Sequence, residues 1–150
     1  MTWQISVLNQ QQTRSIKSKE VKKLAASALE ELGILECELG ILLVGDAEMI
    51  LLNEGYLQHE GSTDVITFCY NELPARGSTV RVLQGDIVIC VDEALRMARR
   101  YGTSWQSEIS RYVIHGLLHL CGYDDQVPEE RREMKKKEGR LMKTIPPLKT

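Results

Sequence analysis

Residues 113–125 read VIHGLLHLCGYDD, and this stretch predicts a helix followed by a tight turn. The apolar run places His115 and His119 four residues apart. At that spacing, two helical side chains project from one face with Cβ atoms about 5–6 Å apart. Gly122 follows the run, and glycine there is typical of a helix end that reverses the chain. The stretch therefore predicts a helix that presents two imidazoles to one point.

The two imidazoles are suited to a metal ion if a third ligand returns toward them after the turn. Asp124 and Asp125 are both placed to do so. Two imidazoles and one carboxylate leave a fourth position open, as in catalytic zinc sites. The alternative is a buried helix whose histidines are satisfied by ordinary hydrogen-bond partners. The spacing by itself does not decide between the two.

The rest of the chain predicts alternating strands and helices. Strands are expected over residues 3–8, 39–44, 65–70 and 87–91, and helices over 18–32, 46–56, 92–102, 103–121 and from Pro128 onward. The polar segment 71–84 predicts a loop or hairpin. We therefore expect a single α+β domain over residues 1–150, with a small mixed sheet packed with helices, one of which carries the H-x-x-x-H pair.

Composition excludes several functional classes. The 150 residues are 43% hydrophobic and 27% charged with a net charge of −2, as in an ordinary globular protein. No apolar run approaches the ~20 residues of a membrane span, and residues 1–10 do not resemble a secretory signal. The four cysteines are widely spaced and form no C-x-x-C pair. We expect a cytoplasmic protein with no membrane partner.

Three ordered motifs of the chain resemble those of one known family. HGLLHLCGYDD, residues 115–125, resembles the signature H-G-x-L-H-L-x-G-Y-D-H. Residues 52–68, LNEGYLQHEGSTDVITF, and residues 83–90, LQGDIVIC, resemble two further motifs of that family. By these motifs the chain resembles the YbeY family, which consists of metal-dependent endoribonucleases of ribosomal RNA maturation and ribosome quality control. The resemblance implies one Zn²⁺ per chain and a partner that is single-stranded RNA, ribosomal RNA or a ribosomal subunit.

The resemblance also implies the ligands, with one departure. His115 and His119 match two metal-binding histidines, and Asp125 stands where the family has the third. We therefore expect His115, His119 and Asp125 to be the metal ligands and the catalytic residues. Aspartate is an acceptable zinc ligand, but its negative charge should make the ion a weaker Lewis acid.

A second departure removes a cation. Leu57 stands where the family has an arginine, which would be a suitable bidentate partner for phosphate. We expect slower phosphodiester cleavage than the family pattern would give, unless another cation occupies that space. The candidates are Arg76, Arg81 and Arg111.

Further residues match family positions and are candidates to contact substrate or to support the ligands: Asn53, Thr63, Asp64, Asp86, Tyr123 and Asp124. Residues 53, 63 and 64 are more simply turn formers. Asp86 could orient a ligand histidine by accepting a hydrogen bond from that histidine's second ring nitrogen, or it could merely cap a turn.

The sequence leads to two functional hypotheses. The first is a zinc-dependent endoribonuclease specific for single-stranded RNA, in which either water or the ribose 2′-hydroxyl is the nucleophile. The alternative is a catalytically weakened RNA-binding or ribosome-binding maturation factor of the same fold. A third, a zinc hydrolase with another small substrate, is less favoured. Peptide hydrolysis is disfavoured because Gly116 stands where H-E-x-x-H proteases carry glutamate.

Overall fold

The computed structural model describes residues 2–56, 63–75 and 79–149. Four strands and five helices occur there, in the order β1 Thr2–Asn9, α1 Ser18–Glu31, β2 Glu36–Val44, α2 Asp46–Tyr56, β3 Val65–Cys69, β4 Val82–Cys90, α3 Val91–Tyr101, α4 Trp105–Leu120 and α5 Pro128–Thr144. The prediction of an α+β fold with a small mixed sheet is confirmed.

The sheet has the strand order β1-β2-β4-β3. Strands β1, β2 and β4 run parallel, and β3 pairs with β4 in the antiparallel direction. Two parallel neighbours require crossover connections, and α1 provides the one between β1 and β2. Strand β4 is central, with β2 on one side and β3 on the other.

Helix α4 is the central helix of the fold. It packs on β3 and β4 and also contacts α1, α3 and α5. Ten of its sixteen residues are buried, including Ile109, Val113 and Leu117. Gly116 lies so close to Ile87 of β4 that an added Cβ would be 2.8 Å from a methyl carbon. A helix held on this many sides can present side chains at a fixed position.

Among the described residues, the opposite face of the sheet is covered in part. Helix α2 places Met49 against Val44, Ile66 and Val88, in a smaller apolar cluster. The alternation of side chains along β4 therefore decides which helix a residue meets: Ile87 faces α4 and Val88 faces α2.

Strand β4 begins five residues earlier than the sequence predicted. Residues 82–84, assigned to a polar loop, pair with residues 36–38 of β2. Pairing with β2 therefore extends the strand beyond its β-branched segment.

The sequence predicts Ser18 as the N-cap of the first helix and Thr103, in a capping box with Gln106, as that of the helix over 103–121, and both predictions are wrong. Ser18 is the first residue of α1 and makes no cap, because the N-cap position is Lys17. The N-cap of α4 is Ser104, whose hydroxyl accepts from the backbone N–H of Ser107 at 3.1 Å. Thr103 instead donates its hydroxyl to Glu108 Oε1 at 2.8 Å. Neighbouring hydroxyl residues compete for one cap, and tertiary contacts choose between them.

Among the residues that the structure describes, no helix is both long enough and apolar enough to cross a bilayer.

Candidate metal centre

The turn after α4 brings the chain back to the histidines. Gly122 has φ +96°, in the left-handed region that glycine tolerates best. Its N–H donates to the carbonyl of His119 and the N–H of Tyr123 to that of Leu118, both at 3.0 Å. This is the Schellman arrangement, which satisfies the last free carbonyls of a helix. The predicted chain reversal at Gly122 is confirmed.

Three ligand-type atoms meet at the end of this turn. Nε2 of His115 and Nε2 of His119 are 3.1 Å apart. Asp125 Oδ2 lies 3.7 Å from the first nitrogen and 3.9 Å from the second. In a tetrahedral zinc site with ligand distances near 2.0–2.1 Å, ligand atoms are separated by about 3.3–3.4 Å. The donor set therefore fits one small divalent ion.

Both imidazole rings are held with Nε2 toward the position that an ion would occupy. His119 Nδ1–H donates to the backbone carbonyl of Tyr123 at 3.0 Å, which leaves the Nε2 lone pair for an ion. Nδ1 of His115 lies 3.5 Å from Oε1 of Glu138 on α5. The two side chains are about one quarter exposed, at 25% and 24%, so the site is partly shielded but open to solvent.

The environment separates the proton affinities of the two imidazoles. Burial alone would lower the pKa of His115, but the hydrogen bond and charge of Glu138, with Asp125, outweigh burial and raise it. Burial and the neighbouring His115 lower the pKa of His119, and Asp125 offsets this only in part. Two close rings cannot readily carry two positive charges, so the pair takes its first proton at His115.

The three donors lie in a cavity of about 580 Å³. Its walls are β3, the preceding residues 63–64, Leu73 and the turn 122–126. Three carboxylates line it, those of Asp64, Asp124 and Asp125. Among its described lining residues there is no lysine or arginine, so the cavity is acidic unless a cation binds in it.

Several of the other candidates have structural contacts in or near this cavity. Asp124 Oδ1 accepts from the backbone N–H groups of Asp125, at 2.7 Å, and Gln126, at 3.2 Å, and so shapes the turn. Asp64 Oδ1 accepts from Val65 N–H at 2.8 Å, and its carbonyl accepts from Cys90 N–H. Asp125, not Asp124, is the carboxylate that joins the histidines.

Two of the remaining candidates, Thr63 and Tyr123, line the cavity, and Asn53 does not. Thr63 lines it and lies 3.4 Å from the carboxylate of Asp64. Tyr123 lines it and supplies the carbonyl that orients His119. Asn53 is buried in α2 and is not one of the lining residues.

Asp86 lies on the other face of the sheet. Its neighbour Ile87 faces Gly116 of α4, and strand alternation directs Asp86 the opposite way. There Asp86 Oδ2 accepts the hydroxyl proton of Tyr70 at 2.5 Å. The prediction that Asp86 orients a ligand histidine is therefore wrong.

Sequence reasoning missed the role of Glu138. The run of basic residues beside it predicts Glu138 to be their partner on a solvated helix face, yet it is only 8% exposed. It lies between Met134 and Leu141, which are buried on the same face of α5. The sequence does contain a signal for this role, since Glu138 lies within an apolar helical stripe and a buried carboxylate requires a partner.

Of the three arginines that could replace the missing cation, the structure describes Arg81 and Arg111. Leu57 and Arg76 lie outside the described residues. Arg81 directly precedes β4, and its carbonyl accepts from Leu35 and Glu36 N–H groups. Arg111 lies one helical turn before His115 and is near Glu108 and Glu138, at 3.9 and 4.0 Å.

A second group of ligand-type atoms comprises Asp46, Cys90 and Asp92. Arg96 already binds both carboxylate oxygens of Asp46, at 2.7 and 2.8 Å. Asp92 accepts from Thr13 Oγ1 and from Asp46 N–H. This group connects α2 and α3, and its oxygens are used in protein contacts.

Comparison with known proteins agrees with the motifs. A family model described as Endoribonuclease YbeY matches residues 6–146. A protein of that name from Parabacteroides distasonis is 33% identical over 135 residues, covering 90% of each chain. One from Anaeromyxobacter sp. is 40% identical over 124 residues, which are 83% of this chain and 62% of that relative. The chain thus spans less than two thirds of the Anaeromyxobacter protein.

The fold has a solved counterpart. A protein of Thermotoga maritima, determined in solution, superimposes with a TM-score of 0.63 at 26% identity, covering 93% of this chain and 87% of the other. The family match includes α4, the turn and α5, which together hold the candidate metal centre. The chain belongs to the Endoribonuclease YbeY family.

Proposed function

We propose that this chain is a metal-dependent endoribonuclease that cleaves single-stranded RNA. In this proposal one Zn²⁺ per chain is held by His115, His119 and Asp125, and the substrate is ribosomal RNA during maturation and quality control of the cytoplasmic ribosome. The observation that carries the proposal is the convergence of two Nε2 atoms and one carboxylate oxygen, 3.1 to 3.9 Å apart, in a family of endoribonucleases.

The chain's own residues supply position and charge. The imidazoles of His115 and His119 would hold the ion as neutral donors, and the carbonyl of Tyr123 fixes the ring of His119 in the tautomer this requires. Asp125 adds one negative charge. When bound, Zn²⁺ provides Lewis-acid stabilisation of charge on a phosphoryl oxygen and makes water a stronger acid.

The acidic cavity makes RNA binding dependent on the ion. Phosphate must approach within a region lined by Asp64, Asp124 and Asp125, where like charges repel. A divalent cation offsets two of these three negative charges and gives the phosphate a direct partner. We therefore expect tight RNA binding only in the metal-loaded protein.

The acidic lining also favours the alternative, a maturation factor with weakened catalysis. Described residues of the cavity provide no guanidinium or ammonium group for the charge that develops on a phosphoryl oxygen. In this alternative the protein cleaves RNA slowly and acts in maturation by binding RNA or the ribosome.

Metal content tests the site first. Elemental analysis is made on protein purified without a histidine tag, for the wild type, Asp125→Ala, Asp125→His and the control Glu129→Gln. Glu129 is an exposed carboxylate at the start of α5. We expect near-stoichiometric zinc in the wild type, Asp125→His and the control, and its loss in Asp125→Ala. A metal-free wild type that binds zinc only as Asp125→His would refute the proposed site.

Cleavage then separates the two functions. Single-stranded RNA, duplex RNA and single-stranded DNA of one sequence are incubated with the zinc-loaded protein. Zinc-dependent cleavage of the first alone supports the endoribonuclease. Zinc-dependent binding with no cleavage above that of Asp125→Ala supports the alternative. A 2′-deoxy substitution at the cleaved nucleotide identifies the nucleophile, since continued cleavage excludes the 2′-hydroxyl.

A further inference from the structure

The C-terminal helix α5 contacts the candidate metal centre at two points. Glu138 Oε1 lies 3.5 Å from His115 Nδ1. Seven residues earlier, and so two helical turns away on the same face, Arg131 donates its Nε–H to the backbone carbonyl of Asp125 at 2.9 Å. One helix thus reaches both the first and the last of the three candidate ligands.

The position of α5 is set by packing that does not depend on the site. Met134 and Leu141, 1% and 4% exposed, lie on the face that carries Glu138 and belong to the main core. Their burial in this core, where α5 packs on α4, determines where the carboxylate stands. Glu138 is therefore delivered to His115 by the core and not by a mobile loop.

Glu138 has the partners that a buried carboxylate requires. Its second oxygen, Oε2, lies 4.0 Å from Nη1 of Arg111. Nε of Arg111 is in turn 3.9 Å from Glu108, which accepts a hydrogen bond from Thr103. This row of alternating charges gives Glu138, which is only 8% exposed, the cationic neighbour that a buried carboxylate requires.

We infer that Glu138 is a positioning residue of the metal centre. Its carboxylate accepts the Nδ1–H of His115, which fixes the tautomer whose Nε2 lone pair faces the ion and holds the ring in that orientation. Carboxylates behind ligand histidines also make the imidazole a better donor, and their loss typically weakens metal binding about 10–100-fold. The inference rests on the proposed function because it requires His115 to be a ligand.

Zinc affinity is the primary test. Metal-free full-length protein is titrated with Zn²⁺ against a chromophoric chelator, for the wild type, Glu138→Gln, Glu138→Leu and the control Glu129→Gln on the same helix. We expect a loss of about 10–100-fold in Glu138→Leu, a smaller loss in Glu138→Gln because its amide oxygen can still accept, and no change in the control.

The tautomer of His115 gives a readout that a merely structural role would not change. Imidazole ¹⁵N shifts of the metal-free protein at a pH where the ring is neutral report which nitrogen carries the proton. We expect Nδ1–H in the wild type and a larger fraction of Nε2–H in Glu138→Leu. Circular dichroism confirms that the variants are folded.

The outcomes separate the two proposals. If the wild type binds zinc and Glu138→Leu, while folded, matches it in both affinity and tautomer, the role of Glu138 is refuted and the metal centre stands. If the wild type binds no zinc, both are refuted. A graded loss of affinity with the tautomer shift supports both.

Discussion

Replacing Gly116 by alanine tests the close packing that positions the ligand helix. An added Cβ would lie 2.8, 2.9 and 3.1 Å from three side-chain carbons of Ile87. Ile87 is fully buried on the central strand, so it has little room to move. Gly139 in α5 is the matched control, because nothing lies within 4 Å of its added Cβ.

The two substitutions share one favourable effect and differ in one cost. Alanine in a helix interior is about 1 kcal/mol better than glycine, and overpacking a core costs about 1–3 kcal/mol. We therefore expect Gly139→Ala to raise the free energy of unfolding by about 1 kcal/mol and Gly116→Ala to lower it by roughly 0–2 kcal/mol. The difference between the variants is about 1–3 kcal/mol.

Urea unfolding of the metal-free proteins, followed by circular dichroism, measures this difference. The double variant Gly116→Ala with Ile87→Val removes the carbon at 2.9 Å, so the alanine should cost less in the Ile87→Val background. If Gly116→Ala stabilised the protein as much as Gly139→Ala does, the packing of α4 on β4 described above would be wrong.

Three further predictions concern the turn, the imidazole pair and a buried thiol. Gly122→Ala places a Cβ on the Pro74 carbonyl oxygen at a positive φ, so it should lower the free energy of unfolding by at least about 2 kcal/mol in urea and also reduce zinc content. In the metal-free protein, imidazole NMR should show His115 titrating above pH 6.5 and His119 below it; a single shared midpoint would contradict this. The stability that His115 contributes is present below pH 6.5 and lost as the pH rises through its raised pKa, whereas that of His119 is lost as the pH falls through its lowered pKa. Burial raises the pKa of Cys121 from 9.0 to about 11, so the folded protein should protect this thiol from a thiol reagent at pH 9. The free energy of unfolding should fall as the pH rises from 9 toward 11, because the thiol ionises more readily in the unfolded chain. Fast labelling of the folded protein would refute this.

The meeting of the three candidate ligands could be predicted because it is local in sequence. His115 and His119 are one helical turn apart, and a glycine-terminated helix returns the chain within a few residues to place Asp125 beside them. Helical periodicity and the turn conformation of glycine require no long-range contact, so residues 113–125 predict two imidazoles with an aspartate returning toward them. The family resemblance, and not the spacing, favours Asp125 over Asp124.

Other features depend on which surfaces pack together, and only the tertiary structure decided them. Asp86 stands in a recognisable motif, but the face of the sheet on which its side chain lies follows from the pairing register of β4 with β2. A shift of one residue in that register would move the side chain to the face that α4 covers. Glu138 is 23 residues from His115 in the chain, and the packing of α5 brings them together. The sequence by itself thus determined the helix, the turn and the placing of the candidate ligands, since these depend on neighbours in the chain. The partner of His115 was decided only by the tertiary structure, because Glu138 lies on a separate helix whose position follows from burial of the core.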